Sequence, residues 1–199
     1  VTLAFVNVGA NIGTTCLNAY DAGFRRIVAV EPEPENFRLL EQNLAHLPDA
    51  TIALHQIAIG EARGKATLHR HATNLGGHSL VGTAQVGRDA GKIDVAVEPL
   101  VTVLPPATPF VLFVDVEGFE PQVLRGGANE ILRDCRALAL EVTPSKYSTA
   151  DSTDLCARLA AFAKECALIP SGERRSTQDI ARLMSERRTG HFDVAMVRT

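Results

Sequence analysis

The run Phe5-Val6-Asn7-Val8-Gly9-Ala10-Asn11-Ile12-Gly13 is followed, eighteen residues beyond Gly13, by Glu31. It reads as an apolar strand, a glycine turn and a helix start, with residues 27–30 as a second buried strand that delivers an acid at its end. This is the order of parts by which a doubly wound α/β domain holds a nucleoside. Glycine lets the backbone approach a ligand with no Cβ in the way. A carboxylate at the end of the second strand can accept hydrogen bonds from both ribose hydroxyls.

The turn also narrows the cofactor. A dinucleotide fingerprint places glycine at its second position, where the backbone must approach a pyrophosphate. Asn11 stands there instead. A side chain at that point crowds a pyrophosphate but tolerates a ligand without phosphates, such as S-adenosylmethionine (SAM). The plainer reading, glycines serving only turn geometry, is weakened by Glu31.

Strand-like and helix-like runs alternate along the rest of the chain, which points to a mostly parallel sheet with helices on both faces. Residues 1–8 suit a strand buried on both sides, and 11–22 a helix ending at Gly23. Pro34 suits a first helical turn, followed by Phe37, Leu40, Leu44 and Leu47 on one face. A third strand is expected over 51–59, a short one over 65–71 and another over 93–103. Between the last two, residues 72–91 carry five glycines and read as a long loop, either a lid or a surface excursion. Strands over 110–116, 137–142, 167–170 and 192–197 follow, with helices from Pro121 and around Leu155, Leu159 and Phe162. With no internal repeat or linker, residues 1–199 are expected to form one domain. The start at Val1, inside a strand-like run and without Met, suggests residues upstream.

Charge decides against one class of partner. Lys and Arg total 20 against 23 Asp and Glu, a net charge of −3, whereas nucleic-acid binders usually carry a basic surplus. Arg174-Arg175 and Arg187-Arg188 are more simply solvated charge. No apolar run reaches the ~20 residues of a membrane helix. Cys16, Cys135, Cys156 and Cys166 form no C-x-x-C pair and read as small buried side chains, which fits a reducing cytoplasm. The expected setting is therefore cytoplasmic, without nucleic acid or membrane.

A second constellation is Asp115-Val116-Glu117-Gly118, at the end of the strand over 110–116. Ligands in open parallel sheets sit beyond the carboxyl ends of the strands, where strand order reverses. If the strand over 110–116 neighbours the first strand there, Asp115 faces Gly9 and Asn11 across the crevice. A hydroxyl nucleophile is poor at neutral pH and benefits from a base. Asp115 is the first candidate and Glu117 the second, although either could instead cap the next helix.

Taken in order, Asn7-Val8-Gly9-Ala10-Asn11-Ile12-Gly13, Glu31-Pro32-Glu33-Pro34-Glu35-Asn36-Phe37, Gly76-Gly77-His78-Ser79-Leu80, Asp115-Val116-Glu117-Gly118-Phe119-Glu120 and Pro121-Gln122-Val123-Leu124-Arg125-Gly126-Gly127 resemble the FkbM family of SAM-dependent methyltransferases. The resemblance covers nearly the whole chain. It implies a doubly wound sheet of seven strands in the order 3-2-1-4-5-7-6, the last antiparallel, and O-methylation of a sugar or other small-molecule hydroxyl. It implies that Gly9, Asn11 and Gly13 line the methionine end of SAM, that Glu31 holds the ribose, and that Pro32, Ile57 and Ala58 lie by the adenine. Two departures stand out. The family often has an acid at Asn7, which helps anchor the methionine amino group, and a lysine at Phe113.

His78 and Ser79, in the glycine-rich loop, are either acceptor contacts, with His78 as a second base, or exposed loop residues. His69 and His71 lack a third metal ligand. Asp115, Glu117 and Glu141 are carboxylates of the kind that take Mg²⁺, but no metal is assigned. Two alternatives stay open: a SAM-binding module with lost catalysis, and a nicotinamide-dependent oxidoreductase. The second lacks G-x-G-x-x-G and a spaced Tyr/Lys relay, since Lys146 directly precedes Tyr147.

Overall fold

The computed structural model describes residues 3–71, 77–82, 89–186 and 190–198. Strand β1 (Ala4–Val8) is buried along its whole length, which is why apolar residues occupy it on both faces, with Asn7 the one polar exception. Helix α1 (Thr14–Asp21) returns the chain to β2 (Arg26–Val30), parallel to β1 from Ala4↔Arg26 to Val8↔Val30. Helix α2 (Pro34–Leu44) begins with Glu33 as its cap, whose carboxylate accepts the Asn36 N–H at 2.7 Å. Pro34 sits in the first turn, where a missing N–H costs nothing. Strand β3 (Thr51–His55) extends the parallel sheet beside β2.

The strand expected over 51–59 is two strands. After His55 the chain leaves the main sheet, and β4 (Ala58–Gly60), β5 (Gly64–His71) and β6 (Asp89–Pro99) form a separate sheet in the order β4-β6-β5. Ala58, Leu68, Val95 and Val97 give this sheet a small core of its own. The expected loop over 72–91 is correspondingly shorter. Residues 89–91 belong to β6, and Ser79 bridges His69 of β5; the expectation for 72–76 and 83–88 lies outside the described residues. The strand expected over 93–103 ends at Pro99, which has no N–H to continue a ladder, and Leu100–Thr102 forms a 3-10 turn.

Strand β7 (Phe110–Val114) pairs parallel with β1, and the short helices α3 (Glu120–Arg125) and α4 (Ala128–Asp134) lead to β8 (Cys135–Val142), parallel to β7. Then come α5 (Thr149–Phe162), capped by Ser148, and the strands β9 (Glu165–Ile169) and β10 (Arg174–Ser176). Helix α6 (Ile180–Glu186) and β11 (Phe192–Val197) complete the chain. The main sheet has eight strands, β10-β9-β11-β8-β7-β1-β2-β3, with β11 antiparallel to both neighbours. This corrects the seven-stranded expectation and its order. The sheet gains the three-residue edge strand β10, hairpinned onto β9, and the chain's fourth to sixth strands belong to the small sheet.

The larger core, including Leu112, Leu138, Val194, Leu155 and Leu159, lies between the sheet and helices α3 to α6. A smaller one on the opposite face packs Cys16, Leu40 and Leu44 against Phe5, Ile27 and Ala29. Strand order reverses between β1 and β7, so their carboxyl ends open a crevice. Among the described residues no helix is long and apolar enough to cross a membrane.

Candidate active site

The turn after β1 is held from three directions. Gly9 and Ala10 both donate to the Val30 carbonyl, at 3.0 and 2.9 Å. Asn11, at φ 50°, donates its N–H to Glu31 Oε2 at 2.8 Å, and Glu33 N–H donates to Glu31 Oε1 at 2.9 Å. Glu31 therefore ties the first turn to the second, and burial pushes its carboxyl group up to about 7. Gly9, at φ 84°, passes so close to β7 that a Cβ would lie 1.7 Å from the Asp115 carbonyl oxygen.

These turns open on a cleft lined by residues of the β1, β2 and β7 ends and of the small sheet. Of the residues expected at the site, Gly9, Asn11, Glu31, Pro32, Ile57, Ala58, His78 and Asp115 line it together. Gly13 does not. A Cβ there would meet Leu40 at 2.8 Å, so this glycine serves the packing of α1 on α2. Asn7 is also outside the lining. It is fully buried beneath the turn, donating to Cys16 Sγ at 3.4 Å, with no partner for its Oδ1. Leu68, Leu80 and Phe119 complete an apolar wall that sequence reasoning missed. Leu68 comes from the small sheet, whose docking depends on long-range pairing.

Asp115, Glu117 and Glu141 bring carboxylate oxygens within 4.8 Å of one another. Burial raises the Asp115 carboxyl to about 7, helped by the negative charges of Glu141, Glu117, Glu120 and Asp193. Burial also raises Glu141, with Glu117 adding to it. Lys146 Nζ is 2.5 Å from Glu117 Oε2, so the cation in this cluster is the chain's own. Glu120, fully buried, accepts the N–H groups of Val116 and Gly118 at 3.3 and 3.1 Å and the Tyr147 hydroxyl at 2.7 Å. It shapes the loop that presents Asp115.

His78 lines the same cleft. The charged groups around it are Glu33, Arg70, His71 and Glu35, and burial lowers its pKa. Its Nδ1 accepts the His71 N–H at 2.9 Å, which puts the ring proton on Nε2. So placed, His78 is a neutral donor, which runs against its expected role as a second base. Ser79 is a latch: its hydroxyl donates to the Glu117 carbonyl at 2.6 Å and accepts the Val81 N–H at 3.1 Å. His69 and His71 flank a register shift in β5, and no third ligand joins them among the described residues.

The family model for the methyltransferase FkbM domain matches residues 7–187. The chain belongs to the FkbM methyltransferase family. No curated protein matches it. Among solved structures it is similar to a candidate tRNA (m1A22) methyltransferase from Streptococcus pneumoniae, at 10% identity and TM-score 0.49, over 99% of this chain and 65% of that one. It is also similar to a candidate RNA methyltransferase from Pyrococcus horikoshii, at 7% and 0.49, over 100% and 74%. A third is precorrin-6y C5,15-methyltransferase from Geobacter metallireducens, at 11% and 0.48, over 99% and 80%. The chain thus spans about two thirds of the first of these. The substrates in those names belong to those proteins.

The cofactor of this FkbM-family chain is SAM, and the cleft's chemistry fits it. Both Glu31 oxygens keep a lone pair beyond the backbone N–H each accepts, and Asn11 Oδ1 is a buried acceptor without a partner. The wall around Pro32, Ile57 and Leu80 is apolar enough for a purine. A pH effect follows. Near pH 7 the cofactor-free protein holds Glu31 partly protonated, whereas ribose hydroxyls brought to Glu31 would donate to its carboxylate. Binding of S-adenosylhomocysteine is therefore expected to release a fraction of a proton at pH 7 and to weaken as pH falls below it. Calorimetry in two buffers of different ionisation enthalpy reads this, and Glu31→Gln should abolish the release.

Proposed function

We propose that this FkbM-family methyltransferase is an O-methyltransferase acting on a hydroxyl of a small molecule or sugar, with Asp115 as the base. SAM supplies a methyl group activated on a sulfonium. The observation that carries the reading is Asp115 itself. It lines the cleft across from Gly9, no hydrogen bond from a described residue holds its carboxyl group, and its pKa sits at about 7. A base poised there can accept a hydroxyl proton at neutral pH. The hydroxyl proton would pass to the Asp115 carboxylate as the acceptor oxygen takes the methyl group that bound SAM would supply, the S–C electron pair staying with sulfur. Glu31 and Asn11 hold the donor in place, and Phe119, Leu68 and Leu80 keep water from the reaction line.

The same reading places one catalytic domain over residues 1–199, in the cytoplasm, without a nucleic-acid partner. The net charge of −3 and the clustered carboxylates of Asp115, Glu117 and Glu141 oppose a phosphate backbone. The test is methyl-labelled SAM offered with a panel of sugars, phenols and secondary alcohols, and with RNA as the contrast. Label in an ether of a hydroxyl compound is the expected product. Label only in RNA, or only on nitrogen, contradicts the proposal.

A further inference from the structure

The 3-10 turn Pro144–Lys146 follows β8 and lies outside the elements that carry the cofactor cleft. Lys146 at its end and Tyr147 just after it nevertheless grip the loop that presents Asp115. Lys146 Nζ meets Glu117 Oε2 at 2.5 Å, with both side chains mostly shielded from solvent. Tyr147 donates to Glu120 Oε2 at 2.7 Å while its oxygen accepts the Thr143 N–H at 3.0 Å. The lysine stem crosses Gly118 so closely that a Cβ there would lie 2.6 Å from Lys146 Cδ and 2.7 Å from its Cβ. Gly118, at φ 105°, thus leaves room for Lys146, and Glu117, at φ 55°, is turned toward the ammonium.

We propose that Lys146 is a positioning residue of the methyl-transfer site: it pairs with Glu117 and offsets part of the negative charge that Glu117 sets beside Asp115, so that Asp115 keeps an ionised carboxylate for the acceptor hydroxyl. This rests on the reading of Asp115 as base. The groups facing Asp115 are Glu117 in its own loop, Glu120 at the start of α3, Glu141 on β8 and Asp193 on β11. Of these only Glu117 has a permanently charged partner among the described residues, while His191 stands 3.9 Å from Glu141 and is charged only when protonated. Four carboxylates around a fifth would hold it protonated, and a protonated Asp115 cannot take the hydroxyl proton.

The test follows the Asp115 side-chain carboxyl carbon by NMR through a pH titration of the cofactor-free protein, with Asp115→Asn assigning the signal. In Lys146→Met the midpoint is expected to rise by about one pH unit, a tenfold weaker acid. Lys146→Arg should return it close to wild type. So should Lys146→Met combined with Glu117→Gln, where the charge Lys146 cancels is gone. An unmoved midpoint in folded Lys146→Met overturns the proposal, as does a shifted midpoint that the double variant fails to restore. Failure of the underlying reading looks different: labelled methyl transfer that survives Asp115→Asn removes Asp115 as base whatever the midpoints do.

Discussion

Gly9→Ala is expected to lose stability and cofactor binding together. Two penalties coincide at this position. The residue sits at φ 84°, where an L side chain is strained. A Cβ would also lie 1.7 Å from the Asp115 carbonyl oxygen and 2.7 Å from its carbon. Both obstacles are backbone, so no rotamer change relieves them. The turns after β1 and β7 would have to part, breaking Gly9 N–H to Val30 and Asp115 N–H to Val8, each 3.0 Å long. The expected cost is about 3 kcal/mol or more in urea unfolding, with S-adenosylhomocysteine binding lost. Gly23→Ala is the control. Its φ is 102°, but nothing lies within 4 Å of its Cβ, so strain alone should cost about 1–2 kcal/mol. Equal costs for the two would mean that the approach of the turns is not tight.

Asp115→Asn is expected to lower turnover by about 10²–10⁴-fold, the range for a lost general base. Its fold should not suffer, because no hydrogen bond from a described residue holds the carboxyl group and its neighbours are acids that repel it. Binding of S-adenosylhomocysteine should persist. In the wild-type enzyme, turnover should climb as pH rises toward about 7, where the base ionises, and level off above it. Buried acids carry an opposite effect on stability. With folded-state values raised to about 7, Glu31 and Asp115 bind protons more tightly in the native state, so the fold weakens as pH rises through that window. Turnover unchanged in Asp115→Asn would remove it from the mechanism.

Much of the cleft was legible in the sequence because its turns are built locally. β1, its turn and β2 are consecutive, and the requirements of a turn and a helix start are written in Gly9, Glu31 and Pro34. The adjacency of β7 to β1, which puts Asp115 across from Gly9, could be inferred from the switch-point rule. What long-range pairing decides was hidden. Nothing in residues 51–59 shows that the strand breaks after His55 and that its second half joins β6. Gly13 looked like a cofactor glycine because the turn precedes it, yet its neighbour is Leu40 on α2. His78 looked like a base until its Nδ1 proved to accept a backbone N–H. Phe113 looked like a lost cation, whereas Lys146 supplies one from a turn 33 residues later in the chain.

The most direct measurement is a calorimetric titration of the folded protein with S-adenosylhomocysteine, with NAD as the control ligand. The expected result is saturable binding of the first at a single site, proton release near pH 7, and no heat from NAD. Heat from NAD alone, or none from S-adenosylhomocysteine, would contradict it.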